Sequence, residues 1–141
     1  MLKDILAISG KPGLYKLVSQ TTKGIIVESL DNGAKTMVGN SYKISTLKDI
    51  AIYTENGEKP LEEIFNQILE LEGGKKASVN EKGSAEELKV YFEKVVPDYD
   101  KDRVYVSDIK KVIKWYNILQ VHGIIKLEKK EDKQEEEIDK K

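Results

Sequence analysis

The run at residues 13–53, GLYKLVSQTTKGIIVESLDNGAKTMVGNSYKISTLKDIAIY, limits the fold of this chain more than any other stretch. Turn signals interrupt it every few residues, so no helix of useful length fits inside it and short strands are the available solution. LYKLVS puts Tyr15 and Leu17 on one face of a first strand. A polar turn at 20–24 leads into GIIVESL, rich in β-branched residues that suit a pleated backbone. Asp31-Asn32-Gly33 is the clearest local signal, because Asn-Gly supplies the positive φ angles of a type I′ hairpin turn. AKTMV then ends at a second turn pair, Gly39-Asn40, and extended structure resumes at 42–44. Residues 45–49 read as one turn of helix, and IAIY closes the run with alternating apolar residues. Short strands, a helical turn and a final strand follow the order of a small SH3-like β-barrel. Closing the sheet on itself would remove the exposed edges of such short strands.

The flanks read differently. Leu2, Ile5, Leu6 and Ile8 predict a brief helical turn packed on the strands, broken by Gly10, Pro12 and Gly13. After Glu55-Asn56-Gly57 the apolar period lengthens from two residues to 3.6. Pro60 suits a helix start, Glu62 and Glu63 suit the positive end of its dipole, and Gly73-Gly74 stops it. Leu61, Ile64, Phe65, Ile68, Leu69 and Leu71 form its apolar stripe. KKASVNEKG at 75–83 is small and polar, which predicts a mobile linker. Ser84 opens a second helix with a capping-box pattern completed by Glu87, and Leu88, Tyr91, Phe92 and Val95 give it a buried face. A third helix runs from Ser107, its expected N-cap, to His122-Gly123. Ile109, Val112, Ile113, Tyr116 and Leu119 share one side of it, widened by Trp115 and Ile118. Ile124, Ile125 and Leu127 extend the core as a short tail. From Glu128 onward almost every residue is charged or Gln, and mixed charge without an apolar stripe cannot offset the cost of ordering.

The expected architecture is therefore α+β. A small SH3-like β-barrel occupies 1–57 and a three-helix C-terminal unit occupies 58–127, with a mobile linker near 73–83. A disordered charged tail follows at 128–141.

Composition bounds the function. Lys and Arg number 24 against 25 Asp and Glu, and a net charge of −1 gives no global pull toward nucleic acid or acidic membranes. The absence of cysteine excludes disulfides, thiolate nucleophiles, iron–sulfur clusters and Cys-type zinc sites, and it suits a reducing compartment. The apolar stretch before Gly10 is too short for a signal-peptide core, and no segment nears the roughly 20 apolar residues of a membrane span. A cytoplasmic protein without a membrane partner is the expectation.

No constellation points to chemistry. His122 is the sole histidine, and with no cysteine beside it a transition-metal site lacks ligands. Asp98, Asp100 and Asp102 imitate the opening of a calcium loop, yet Arg103 and Ile109 stand where Gly and a bidentate Glu are needed. Ser9-Gly10-Lys11-Pro12-Gly13 lacks the Gly-Lys-Ser/Thr ending of a phosphate loop. Glu62/Glu63 and Glu86/Glu87 are adjacent on helix starts and diverge, so they are not poised for acid–base work. The expectation is no enzyme, with no catalytic, cofactor-binding or metal residues.

Two features suggest binding. The barrel carries Tyr15, Tyr42 and Tyr53 together with Lys11, Lys16, Lys23, Lys35, Lys43 and Lys48. Small barrels bind peptides or nucleic acid through exposed aromatics, which makes Tyr15, Lys16, Lys35, Tyr42, Lys43 and Tyr53 the candidate surface. The second feature is a basic face on the third helix, Lys110, Lys111 and Lys114, preceded by Lys101 and Arg103. The spacer from Pro97 to Val106 is too long for a helix-turn-helix, so this face reads as solvated. The leading expectation is a non-enzymatic protein-interaction module, its partner an unidentified protein or a second copy of the chain. The alternative is RNA or other nucleic acid bound through the lysine- and tyrosine-bearing barrel.

Three segments, LKDILAISGKPGLYKLVSQTTKGIIVESLD, ISTLKDIAIYT and SDIKKVIKWYNIL, resemble an uncharacterised family of small Bacteroidetes-type bacterial proteins. The resemblance covers roughly residues 1–125. It implies an SH3-like N-terminal barrel, a helical C-terminal part and a variable charged tail, and it brings no catalytic or binding residues with it.

Overall fold

The computed structural model describes residues 2, 4–11 and 13–126. Leu127 and the tail expected at 128–141 lie outside the described residues. Five strands, β1 (Ile5–Ile8), β2 (Tyr15–Thr21), β3 (Gly24–Ser29), β4 (Lys35–Gly39) and β5 (Ile44–Thr46), form an antiparallel sheet in the order β4-β3-β2-β1-β5. A 3-10 turn at Leu47–Asp49 follows. A separate hairpin of β6 (Ala51–Thr54) and β7 (Gly57–Pro60) leads to helices α1 (Leu61–Glu72), α2 (Ala85–Val95) and α3 (Val106–Val121). The class is α+β.

The segment expected as an opening helical turn is β1, an inner strand of the sheet. Its side chains alternate between two cores. Ile5 and Ala7 pack into a large core shared with the helices, while Leu6 and Ile8 enter a small core within the sheet. A strand buried on both faces needs an apolar residue at every position, and four such residues cannot be told from a helical turn by periodicity.

The small core gathers Leu6, Ile8, Val27 and Val38, with Tyr15, Leu17, Ile25 and Ile44 packed against it. The cross-strand pairs Leu6–Tyr15, Leu17–Val27, Ile25–Val38 and Ile8–Ile44 set these residues on one face. Only residues of the same sheet cover that face, so the sheet curls over itself.

The curl stops short of a closed barrel. β4 and β5 remain edges, and IAIY, expected to complete the barrel, pairs with β7 from Ala51–Pro60 to Thr54–Gly57. The reason is local. β5 has three residues and pairs only with β1, and the chain then leaves the sheet through the 3-10 turn. The two-residue connection Glu55-Asn56, with Gly57 at a φ of 143°, returns it at once as a hairpin. β7, sequence GEKP, shows no apolar alternation and was not legible as a strand. The β3–β4 connection also departs from a two-residue type I′ turn. It spans 30–34, with Gly33 at a φ of 73° but Asn32 outside the positive region. Asn32 Oδ1 instead accepts the Ala34 N–H at 2.8 Å.

The helices sit near their expected bounds. Gly73 takes the left-handed conformation that ends α1, at a φ of 64°. Ser84 Oγ accepts the Glu87 N–H at 3.2 Å and starts α2. α3 begins before Ser107, because Asp108 Oδ2 accepts the N–H of Tyr105, its N-cap, at 2.9 Å. The large core joins Ile5, Leu14, Leu47 and Ile52 to Phe65, Phe92, Ile113 and Tyr116 in one cluster. No helix among the described residues is long and apolar enough to cross a membrane.

The stretch read as a mobile linker, 75–83, is tied to the helices at both ends of its first half. The Tyr116 hydroxyl donates to Lys75 O, the Ala77 N–H to Asn117 Oδ1 at 2.9 Å, and the Ser78 N–H to Glu72 Oε2 at 2.7 Å. The Tyr91 hydroxyl donates to the same Glu72 oxygen. Burial pushes the Glu72 carboxyl up, but these hydrogen bonds outweigh it and hold the group below its ordinary 4.5. Burial, with Glu72 beside it, pushes the Tyr91 hydroxyl well up and takes Tyr116 to about 12.

Two outcomes follow. Leu6→Ala removes one of the two residues that tie β1 to the small core and should cost about 2–5 kcal/mol in urea unfolding. Sheet and helix signals should still fall together, because β1 also carries Ile5 into the large core. Glu72 has a lowered folded pKa, so the stability it contributes is present above its ordinary 4.5 and is lost as pH falls below that value through the folded pKa. Glu72→Gln should cost about 1 kcal/mol at pH 7. The gap from the parent protein should close in acid unfolding series.

Candidate functional site

A cleft of about 620 Å³ opens between the β1–β5 side of the sheet, β6 and α3. It occupies the place where β6 leaves the sheet instead of closing it. The sheet side is lined by small residues: Ala7 stands opposite Ser45 across β1 and β5, and Ser9 is joined to Lys43 by a backbone hydrogen bond of 2.9 Å. Small side chains there leave the space open. The base is apolar, built from Ile50, Ile52, Leu61, Val104 and Val112, with Trp115 half-buried beside them.

The rim is cationic. Lys11 comes from the β1–β2 loop, Lys43 from the approach to β5, Arg103 from the α2–α3 loop, and Lys111 and Lys114 from α3. Among the described residues Asp108 is the one carboxylate in the lining, and its Oδ2 already holds the Tyr105 N–H. Arg103 is engaged as well. Its Nε lies 2.9 Å from Asp100 Oδ2, and its guanidinium sits 4.4 Å from the centre of the Tyr53 ring. Arg103, and then the Asp102 N–H, hold the Asp100 carboxyl below the usual carboxylate range. Asp100 thus organises the acidic turn that resembled a calcium loop. The described residues contain no group of acidic or histidine side chains placed to hold a metal ion. Lys11 lies 5.4 Å from the centre of the Tyr42 ring. Among the described residues, no ion pair involves Lys11, Lys43, Lys111 or Lys114.

The candidate surface read from sequence divides in two. Lys43 and Tyr53 line the cleft, and exposed Tyr42 stands beside it through Lys11. Tyr15 is half-buried against the small core. Lys16 and Lys35 both register against Glu28 and lie outside the cleft. The helical basic face divides likewise. Arg103, Lys111 and Lys114 reach the cleft, whereas Lys101 pairs with Glu93 at 3.2 Å. His122 is elsewhere, its Nε2 3.8 Å from Asp31 Oδ1, where it links the end of α3 to the β3–β4 loop. Sequence reading kept the barrel lysines and the helix lysines as separate surfaces. Their convergence, with Trp115 between them, depends on the fold.

Comparison with known proteins gives a consistent family. Residues 2–47 match a Domain of unknown function (DUF5606), and residues 50–119 match a second Domain of unknown function (DUF6852). The junction falls in the 3-10 turn at Leu47–Asp49, where the chain leaves the five-stranded sheet. No curated protein matches the chain. It is similar to a solution NMR structure of a structural-genomics target from Bacteroides vulgatus, with 48% identity, a TM-score of 0.76, and coverage of 90% of this chain and 91% of that one. The chain, which carries these two domains in series, therefore belongs to a Bacteroidetes-type family of proteins of unknown function.

Proposed function

We propose that this protein is a non-enzymatic interaction module whose cleft takes an acidic segment of a partner protein. One observation carries the reading: cations from the loops beside the sheet, the α2–α3 loop and α3 converge on a single concavity whose one carboxylate among the described residues is already engaged. A concave surface of one sign focuses the field and favours a partner of the other sign. The lining offers cations, hydroxyls and aromatic rings, a set suited to holding an anion rather than to moving protons. The basic groups gather at one cleft and do not run along an extended track, which favours a peptide over a nucleic-acid strand. The setting we propose is the cytoplasm, in keeping with a chain that carries no cysteine.

Titration of a glutamate-rich peptide into the full chain, with Trp115 emission as the signal, tests this reading. Binding should weaken as salt rises, because most of the attraction is between exposed charges. Lys111→Gln combined with Lys114→Gln should weaken it about three- to tenfold. Absence of binding at low salt, or tighter binding of a single-stranded RNA of matched charge, would overturn it.

A further inference from the structure

The cleft is not uniformly basic, and its division suggests what kind of acidic segment it takes. We propose that the ligand is a bipartite peptide segment, an apolar or aromatic side chain flanked on both sides by carboxylates. This inference rests on the acidic-partner reading above and adds an anchor to it.

The charge is split between two walls. Lys11 and Lys43 belong to the sheet side, and Lys111 and Lys114, one helical turn apart, belong to α3. None of the four is spent on an ion pair among the described residues. Arg103 differs, since Asp100 and the Tyr53 ring already hold it. Acidic groups bound here would thus lie on opposite sides of the cleft.

Between the walls the surface changes character. Trp115 packs one side on the large core and lines the cleft with the rest, while Ala7 and Ser45 keep the opposite side low. Ile50, also half-buried, continues the accessible apolar base, whereas Val112 beneath it is buried. A polyanion with no apolar residue would span the lysines and leave this base wet. A side chain that fills it removes apolar surface from water on both partners, and a central desolvated anchor within a charged rim is the arrangement that concentrates binding energy. The cleft volume of about 620 Å³ exceeds the needs of one ion pair and lies within the range of sites that enclose a ligand.

Three peptides separate the anchor from the charge: a glutamate-rich peptide with one central phenylalanine, the same peptide with alanine at that position, and a version with glutamine for every glutamate. The phenylalanine peptide should bind about tenfold more tightly than the alanine peptide, the gain expected from burying one aromatic anchor. Both acidic peptides should change the intensity of Trp115 emission, and the phenylalanine peptide alone should also shift it to the blue. Ser45→Leu, which fills the base and leaves every lysine in place, should erase the difference between the first two peptides. Lys111→Gln with Lys114→Gln should weaken both acidic peptides by the same factor. Equal affinities for the phenylalanine and alanine peptides would overturn the bipartite ligand and leave the acidic-partner reading standing. Undiminished binding of the glutamine peptide would overturn both.

Discussion

The burial of β1 on both faces is the interaction on which the rest of the structure depends. ILAI contributes Ile5 to the core that holds the helices and Leu6 and Ile8 to the core inside the curled sheet. A strand that faces water on one side could serve only one of these. Because β1 serves both, the sheet and the helical part share a single foundation, although the matched domains of unknown function meet at residues 47–50. β1 also positions the cleft, since Ala7 and Ser9 form its sheet side.

The cleft follows from the incomplete barrel. β5 is too short to carry the chain round to β4, and the 3-10 turn sends β6 into a hairpin of its own. The gap thus left is walled by α3, which brings lysines that lie more than sixty residues from their counterparts Lys11 and Lys43. The Arg103–Asp100 pair and the Tyr53 ring fix the mouth between them.

Much of this was legible in the sequence, and the exceptions have physical causes. Helices α1 and α2 announce themselves through the stripe from Leu61 to Leu69, the Gly73 stop and the Ser84 cap, all local signals. β1 was misread because four consecutive apolar residues carry no period, and β7 because GEKP places no apolar side chain on either face. The Asn32-Gly33 turn was right in place and wrong in geometry, since Asn32 uses its side chain on Ala34 instead of adopting a positive φ. At the site, the types of residue were visible and their meeting was not. Lys43, Tyr53, Lys111 and Lys114 are ordinary surface residues in one dimension, and only the failure of the barrel to close gathers them.

Trp115, the single tryptophan of the chain, stands in a cationic cleft opened by that incomplete barrel. Collisional quenching at low ionic strength tests it without any ligand, by comparing an anionic quencher, iodide, with a cationic one, caesium. The expected result is that iodide quenches Trp115 more efficiently than caesium when each is taken relative to its quenching of free N-acetyltryptophanamide, and that Lys111→Gln with Lys114→Gln brings the two ratios together. Equal ratios in the parent protein, or a higher ratio for caesium, would rule out a cationic setting for Trp115.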